Sequence, residues 1–525
     1  MQTISKKELF ALLSSRFDQE DKKLSQIPNP ALLQDAPKAA KKIADAIREN
    51  KKITLVGDYD VDGVSSTAIM VDFFRQIPYP LEAIIPNRFR DGYGVSPTVL
   101  QRVEADLVIT VDNGITAVEA AQVCKERGID LIITDHHTAS DILPEAFAIV
   151  DPKLTTCEYP FTEICGAQVA WLLLALVKKE LALNINMRQF LDILAIAIIA
   201  DIMPLININR TLVKEGLKLL HSSKRPSSII IRDFLDKTKI TSEDIAFQIA
   251  PRLNSAGRLE DASIALDFYT ATDTNKAYSQ FELLGELNNL RKETEAQTTL
   301  KAISSVNKND RIIVVSSEGW HEGVVGIVAA RLVDKFGKPA IVLNIEKGIA
   351  KGSARSIGDV NIYELIKKNS SYLTKFGGHK MAAGLGLKEE DIPLFREAIN
   401  ISALEIDPKD FIPKEAVAGI LLTDEIDNEL LDIFEQFEPF GEANPRPMFL
   451  LKDAEIVNIK LMGADKSHSR IEARQYPHQT KTIELIAFRT VFEMTASKKI
   501  SCSYSVVKNE FNGKVNPQLL VNKIY

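Results

Sequence analysis

The sequence predicts an α/β protein built from several lobes, and three observations support this fold class. Between residues 53 and 151, short apolar runs alternate with helical stretches, the pattern of a parallel sheet with helices on both faces. A second unit of this type begins at residue 311. Short alternating strands then dominate a basic region that begins at residue 446, and they predict a small β-barrel.

The chain has 525 residues, and a chain of this length suggests about three or four domains. We predict five consecutive parts: an N-terminal helical segment (1–50), a first α/β lobe (51–235), a helical connector (236–305), a second α/β lobe (306–405) and a C-terminal barrel (415–525). The segment between the second lobe and the barrel region is acidic, with eight acidic and no basic residues from Asp424 to Glu442.

The individual elements follow from apolar periodicity. In the first lobe, a buried strand is expected at residues 53–56, followed by helices at 64–76, 97–104 and 116–127. Residues 166–201 have an almost continuous helical pattern, and a long polar helix at 275–305 should separate two lobes. The second lobe should place a helix at 321–336 among strands at 311–316, 340–344 and 348–354. Barrel strands are expected at 448–451, 482–488 and 518–522.

Charge and cysteine usage exclude several classes of protein. The net charge is −7, which argues against a protein that coats nucleic acid with a uniformly basic surface. Positive charge is local, because residues 446–525 contain 13 Lys and Arg against 7 Asp and Glu. The four cysteines form no CxxC pair, so we expect neither a zinc site nor disulfides, and a reducing cytoplasm is the expected compartment. No apolar run reaches the roughly 20 residues of a membrane helix, and no membrane association is expected.

Three aspartates, Asp58, Asp60 and Asp62, follow the first strand in the segment ITLVGDYDVDG. Carboxylates this close repel one another, which costs stability unless cations neutralise them. The segment therefore predicts a divalent metal. An EF-hand calcium loop is excluded because a strand leads in, whereas an Asx-rich turn is the alternative that needs no metal.

The next two strands also end in groups that can bind metal. One is followed by Asp112 and Asn113, and the other by Asp135, His136 and His137. Since the carboxyl ends of parallel strands converge on one crevice, these side chains should meet. Oxygen ligands with one or two imidazoles suit Mn²⁺ or Mg²⁺ better than zinc. Two such ions could activate a water and stabilise the leaving oxygen of a phosphodiester.

These motifs resemble a known family. GDYDVDG, VDNGI and DHH, in this order, are similar to the first three motifs of the DHH phosphoesterase superfamily. Asp201, at the end of an apolar helical run, fits the fourth motif, and Phe376-Gly377-Gly378-His379 resembles the GGH signature of the DHH-associated domain. From about residue 29 onward, the chain is most similar to the bacterial members that degrade single-stranded DNA from the 5′ end.

The resemblance implies a fold, an activity and partners. The C-terminal barrel should be an oligonucleotide-binding (OB) fold, and the active site should lie in the cleft between the two α/β lobes. The expected reaction is metal-dependent hydrolysis of single-stranded DNA to 5′ mononucleotides, in DNA recombination and repair. By analogy, a helicase and a single-strand-binding protein are expected as partners.

The resemblance also implies roles for the motif residues. Two Mn²⁺ or Mg²⁺ ions would be held by Asp58, Asp60, Asp62, Asp112, His136 and Asp201. The expected catalytic residues are Asp112, which would bridge the ions, and His137 and His379, which would act on the scissile phosphate. Asp135 is expected to orient a histidine through a hydrogen bond instead of binding metal.

Substrate contacts are expected at residues that suit phosphate or the terminal nucleotide. Arginine presents a fork of donors that matches phosphate oxygens, although an interdomain salt bridge is the alternative role for such a residue. The predicted substrate-binding residues are Arg88, Tyr93, Asn113, Arg252, Arg258, Ser353, Arg355, Ser356, Gly377, Gly378 and His379. The resemblance implies that the segment from Lys351 to Ser356, which contains three of these residues, holds the 5′ end of the strand.

Two other functions share some of these features. A DHH-family phosphodiesterase that acts on short oligonucleotides or dinucleotides would carry the motifs but lack the basic barrel. A non-catalytic descendant that serves as a replication scaffold would have lost metal ligands, all of which are present here.

Overall fold

Three β-sheets, one in each of three lobes, organise the part of the chain that the structure describes. The structure is a computed structural model. It describes residues 2–17, 22–413, 416–463, 466–475, 482–488, 490–492, 499–511 and 514–525. The predicted fold class is confirmed: two α/β lobes are followed by a strand-rich C-terminal lobe.

The N-terminal segment and the first lobe come first along the chain. Their elements are β1 (Thr3–Ile4), α1 (Lys6–Ser14), α2 (Ala36–Arg48), β2 (Ile53–Val56), α3 (Val61–Phe74), β3 (Glu82–Ile84), α4 (Pro97–Leu100), β4 (Leu107–Val111), α5 (Val118–Glu126), β5 (Asp130–Thr134) and β6 (Ala148–Val150). The sheet is parallel, with the strand order β3-β2-β4-β5-β6. Strands β2 and β4 are buried along their whole length because helices cover both faces.

Helices complete the first lobe and connect it to the second. They are α6 (Gly166–Glu180), α7 (Leu191–Ala200), α8 (Asn207–Ser222), α9 (Pro226–Leu235), α10 (Ser242–Asp244), α11 (Ala250–Leu259), α12 (Ser263–Tyr269) and α13 (Thr274–Ser304). Residues 166–201 are nearly all helical, as expected, with one break where α6 ends at Glu180 and Asn186 caps a new short turn before α7. The expected polar spacer is α13, which has 31 residues. None of the described helices is long and apolar enough to cross a bilayer.

The second lobe contains β7 (Ile313–Glu318), α14 (Glu322–Phe336), β8 (Ala340–Glu346), β9 (Ile349–Arg355), α15 (Ile362–Lys368), β10 (Lys375–His379), β11 (Ala382–Lys388) and α16 (Ile392–Ser402). Its sheet has the order β10-β11-β9-β8-β7, in which only β7 and β8 run parallel. The edge hairpin of β10 and β11 carries the predicted GGH signature and faces the first lobe.

The third lobe is a barrel made of β12 (Val417–Leu421), α17 (Asn428–Phe437), β13 (Met448–Met462), β14 (His468–Arg474), β15 (Thr482–Ala487), β16 (Lys499–Phe511) and β17 (Lys514–Ile524). The order β13-β14-β15-β17-β16 closes on itself because β16 also pairs with β13. A closed barrel of five strands is the arrangement of an OB fold. The N-terminus joins this lobe, since β1 pairs with β12 and α1 packs into the barrel core.

Candidate active site

The predicted metal ligands meet at one edge of the first sheet. Strands β2, β4 and β5 are neighbours, so residues that follow them lie about 5 Å apart in the sheet direction. Among the described residues, three overlapping groups have ligand atoms within 4.8 Å of one another: Asp58, Asp60 and Asp112; Asp112, His136 and His137; and Asp62, His136 and Asp201. All six predicted ligands are included, and Asp112 and His136 each belong to two groups.

Two of the three clustered aspartates also cap helices. Asp60 is the N-cap of α3 and accepts hydrogen bonds from the backbone N–H groups of Asp62 and Gly63, at 2.9 and 3.1 Å. Asp62 accepts from the N–H groups of Gly166 and Ala167 at the start of α6, at 2.6 and 3.0 Å. Helix N-termini attract negative charge, so these contacts hold the carboxylates in place. Asp60 therefore forms the kind of turn that was the alternative to a metal site. Such a turn does not explain why the other carboxylates lie close to Asp60.

Asp112 is held in an unusual backbone conformation. Its φ is +62°, in the left-handed region that residues with a Cβ rarely adopt. Gly166 makes room for its carboxylate, because a Cβ on that glycine would lie 2.5 Å from Asp112 Oδ1. Strain of this kind persists where the surrounding structure requires it, which is common at functional sites.

The His136 imidazole points its Nε2 atom into the carboxylate cluster. Nε2 lies 3.1 Å from Asp112 Oδ1 and 3.6 Å from both Asp62 Oδ2 and Asp201 Oδ2. Burial lowers the pKa of His136, so the neutral ring is favoured. A neutral imidazole can present a lone pair to a metal ion, as the sequence predicted for this residue.

His137 is oriented by its neighbour Asp135. The Asp135 carboxylate lies 2.7 Å from His137 Nδ1 and also accepts from the Ile115 N–H at 2.9 Å. Burial works to lower the pKa of His137, but the hydrogen bond and charge of Asp135 outweigh it and raise the pKa to about 9. The contact with Asp135 therefore fixes the direction of the His137 ring and favours its protonated form, so the ring can donate to a phosphate oxygen.

The donor set fits divalent cations. One carboxylate oxygen on each of Asp58, Asp112 and Asp201 is buried without a hydrogen-bond partner, and buried polar atoms are almost always paired. Burial, followed by repulsion from neighbouring carboxylates, raises the pKa of all three, to about 9 for Asp201. Mn²⁺ or Mg²⁺ would give these oxygens a partner and cancel the repulsion.

The stability of the metal-free protein should therefore fall as the pH rises from 7 to 9. A folded carboxyl with a pKa of about 9, against 3.8 for the ordinary group, holds a proton that the unfolded chain has released. The free energy of unfolding then decreases with pH, by about 2 kcal/mol over this window for one such group. We expect the melting temperature of EDTA-treated protein to fall, and saturating Mn²⁺ to remove most of the dependence.

Asp201→Asn should reduce this pH dependence, because the amide does not titrate, although His137 and the other buried carboxyls still do. The exposed Asp141 is a matched control, and Asp141→Asn should keep the native slope. Equal slopes in native protein and Asp201→Asn would contradict the account of the cluster.

A cleft between the first and second lobes adjoins the cluster. It encloses about 720 Å³. Its walls come from both lobes and include Tyr59, Arg88, Tyr93, His137, Ser353, Gly377 and Gly378. Gly378 has φ +145°, and a Cβ there would lie 2.5 Å from the Ala382 carbonyl oxygen, so this position of β10, which pairs with Ala383 of β11, needs glycine.

Three arginines bring positive charge to this region. Arg88 lines the cleft, Arg355 ends β9 two residues after Ser353 of the cleft wall, and Arg258 lines a second cavity on the side of the third lobe. Burial, followed by neighbouring positive charges that include Arg88 and Arg355, lowers the pKa of Arg258 to about 10. Among the described residues, no ion pair joins Arg88, Arg258 or Arg355 to a carboxylate. Clustered guanidinium groups without carboxylate partners are suited to bind an anion such as phosphate.

Other predicted substrate residues have structural partners. Arg252 lies over the rings of Phe234 and Phe281, 4.2 and 5.0 Å from their centroids, and is not among the residues that line the cleft. The Ser356 hydroxyl donates to the Val360 carbonyl at 2.6 Å. The exposed His379 ends β10, one residue beyond the glycines that line the cleft. A substrate role for these residues stays a prediction.

The Asn113 side chain fastens a loop to the sheet. Its amide donates to the Val56 and Val111 carbonyls at 3.0 and 2.9 Å, and its oxygen accepts from the Val95 N–H at 2.9 Å. Tyr93, two residues before Val95, lies over the cluster with its ring centroid 6.2 Å from that of His137. Asn113 therefore fixes the position of this loop, and its predicted contact with substrate stays a prediction.

Two residues near the site were not predicted from the sequence. Tyr59 lines the cleft. Its position between two predicted metal ligands, Asp58 and Asp60, is a sequence signal from which it could have been predicted. Asp151 follows β6, is fully buried and has one oxygen without a partner. Burial raises its pKa to about 7. The adjacent Pro152 made an ordinary turn the simpler interpretation of Asp151.

Comparisons with known proteins agree with this arrangement. Residues 52–198 match the model of the DHH family, N-terminal domain; residues 309–402 match the DHHA1 domain; and residues 418–523 match the RecJ OB domain. The single-stranded-DNA-specific exonuclease RecJ of Haemophilus influenzae is 32% identical over 96% of this chain and 93% of that protein.

The RecJ of Bacillus subtilis is 37% identical over 94% of this chain, which spans 64% of that longer protein. Among solved structures, RecJ of Thermus thermophilus in complex with Mn²⁺ superposes with a TM-score of 0.81 and 28% identity, over 95% of this chain and 73% of that chain. The lobes, the motif order and these relatives together show that the chain belongs to the RecJ family of DHH proteins.

Proposed function

We propose that this protein hydrolyses single-stranded DNA from its 5′ end, releases 5′ mononucleotides and acts in DNA recombination and repair in the cytoplasm. One observation carries the proposal. Arg88 lines the cleft that adjoins the metal-ligand cluster, and Arg355 ends the strand that supplies Ser353 to the cleft wall, so one strand could present two phosphate groups to the cluster and to these arginines.

The cluster would bind the scissile phosphate. Bound at Asp58, Asp60, Asp62, Asp112, His136 and Asp201, two Mn²⁺ or Mg²⁺ ions would supply Lewis acidity to activate water and stabilise charge on the leaving oxygen. His137, fixed by Asp135, would donate a hydrogen bond to a phosphate oxygen as negative charge develops there.

The arginines would set the polarity. Arg88 and Arg355, with the Ser353 hydroxyl, would receive the terminal 5′ phosphate, so the bond hydrolysed would be the next one along the strand. Arg258, which lines a second cavity, would contact the strand farther from its end. A charged phosphate held by several guanidinium groups contributes more than neutral contacts, which favours a phosphorylated 5′ end. A cleft with walls from both lobes would admit one strand and exclude a duplex.

A second cavity supports a path from the cluster to the barrel. It encloses about 620 Å³ and extends from Ala200, beside Asp201, to Phe440 and Arg446. Phe247 lines it with 79% of its surface exposed, and an exposed aromatic face can stack on a base of any sequence. The strand would leave the active site along this cavity and reach the OB lobe.

The basic barrel should support long runs of digestion. Lys452 and Lys460 are exposed on β13, and phosphate contacts by such residues hold single strands without sequence preference. Changing both to serine should shorten runs on long strands and reduce the salt dependence, while cleavage of short oligonucleotides stays near native. Lys347→Ser, at a 91%-exposed side chain in the second lobe, is the control. Equal losses on long and short substrates would contradict this role.

The alternative function is a phosphodiesterase for dinucleotides or short oligonucleotides. The experiment that separates the two compares a long single strand with a dinucleotide in Mn²⁺, with mononucleotides as the measured product. Faster release from the long strand supports the proposal. Activity confined to dinucleotides would favour the alternative and leave the barrel without a role.

Partners are proposed by analogy with the family. Single-stranded DNA is the expected ligand of the barrel, as the match to the RecJ OB domain supports. A helicase that unwinds duplex and a single-strand-binding protein would supply or protect that strand.

A further inference from the structure

Tyr59 lies at the meeting point of the metal cluster and the arginine group. It stands between Asp58 and Asp60 in the chain, and its ring lines the cleft between the lobes. The guanidinium carbon of Arg88 lies 5.3 Å from the centroid of this ring. This distance is within the range of a cation–π interaction.

Tyr59 is held through both its ring and its main chain. Tyr93 meets the ring edge-to-face, with ring centroids 6.1 Å apart and an interplanar angle of 82°. The backbone of α11 packs against the Tyr59 main chain, since a Cβ at Gly257 would lie 2.4 Å from the Tyr59 carbonyl oxygen. Tyr59 is therefore a fixed platform.

The orientation of the Arg88 guanidinium depends on the Tyr59 ring. Within the part of the chain that the structure describes, no hydrogen bond or ion pair ties its guanidinium to another side chain. A long side chain without such a partner samples several rotamers. Binding a phosphate would restrict it to few of them, and this loss of conformational entropy opposes binding. An aromatic face can limit these rotamers without neutralising the charge, whereas a carboxylate would compete with the phosphate.

We propose that Tyr59 is a positioning residue that holds Arg88 ready for the terminal phosphate, and so sets the preference for 5′-phosphorylated over 5′-hydroxyl strands. This inference rests on the proposed function, in which Arg88 receives the strand's 5′ end. The preference for a 5′ phosphate depends on the face of the Tyr59 ring and not on its phenol hydroxyl.

The test compares Tyr59→Leu with Tyr59→Phe. The measurement is kcat/KM on two single strands of one sequence, one with a 5′ phosphate and one with a 5′ hydroxyl. Tyr59→Leu should reduce the phosphate preference by about 2- to 30-fold, the range expected for loss of one cation–π contact. Tyr59→Phe should keep the native preference, since its ring is intact.

A double-mutant cycle connects the effect to Arg88. Once Arg88→Ala has removed the guanidinium, Tyr59→Leu should cause no further loss of preference. A second full loss in that background would overturn the inference, as would an unchanged preference in Tyr59→Leu alone.

Calorimetry of Mn²⁺ binding tests whether Tyr59→Leu acts indirectly, by disturbing the neighbouring aspartates. Tyr59→Leu should bind Mn²⁺ as the native protein does, and a parallel loss of metal affinity and phosphate preference would overturn the proposed role. Failure of the proposed function looks different, because the native protein itself would then show no preference for a 5′ phosphate.

Discussion

Asp112→Asn is expected to reduce hydrolysis of single-stranded DNA by about 10³-fold or more, which is the largest effect of any single change considered. Its carboxylate belongs to two of the three ligand groups and one of its oxygens is buried without a partner. An amide of the same shape cannot neutralise a cation, so transition-state stabilisation by the ions would be lost. The measurement is the single-turnover rate in saturating Mn²⁺.

The same change should have the opposite effect on the metal-free protein. Burial and repulsion by Asp62 and its neighbours raise the pKa of Asp112, so its carboxylate destabilises the fold when no cation is present. Asp112→Asn should therefore raise the melting temperature in EDTA and reduce the stabilisation that Mn²⁺ gives the native protein. Asp141→Asn, at an exposed position, controls for the chemical change. A variant that is less stable in EDTA and keeps its response to Mn²⁺ would show that Asp112 has a purely structural role.

Arg355→Ala should lower kcat/KM for 5′-phosphorylated strands by about 10- to 100-fold, the value of one hydrogen bond to a charged group. Arg355 ends β9 beside Ser353, and burial and then the Arg88 charge lower its pKa, so a phosphate would relieve repulsion between the two cations. Mn²⁺ affinity should not change, because Arg355 belongs to none of the ligand groups.

Two further variants test the interpretation of the Arg355→Ala result. Arg355→Lys should recover only part of the loss, since an ammonium group lacks the planar fork that matches phosphate. Arg188→Ala removes a 67%-exposed arginine side chain in the first lobe and should leave the rate near native. A loss of equal size on 5′-hydroxyl strands would argue that Arg355 contacts another part of the strand.

The metal cluster could be predicted because its signal is local. Asp58, Asp112 and His136 each follow a strand within two residues, and the carboxyl ends of adjacent parallel strands must lie together. Asp201 follows a helix instead, so its place in the cluster could be predicted only from the family resemblance.

Other features depend on packing that leaves no local pattern. Arg252 and Arg258 both lie on α11, but six residues turn a helix by about 240°, so they point to different sides. The sequence does not indicate that the Arg252 side faces Phe234 and that the Arg258 side faces the second cavity. The pairing of β1 with β12 joins segments more than 400 residues apart, as the Lys6–Glu425 contact reflects. Such non-local pairing has no sequence signature.

We propose that the protein, with Mn²⁺ or Mg²⁺ held by the residues of this cluster, would hydrolyse single-stranded DNA from its 5′ end. The most direct test digests single strands labelled at either end in Mn²⁺, using native protein and Asp112→Asn in parallel. The account predicts immediate release of labelled mononucleotide from the 5′ end, late release from the 3′ end, and neither with Asp112→Asn. Release from the 3′ end first, or equal release by the variant, would contradict it.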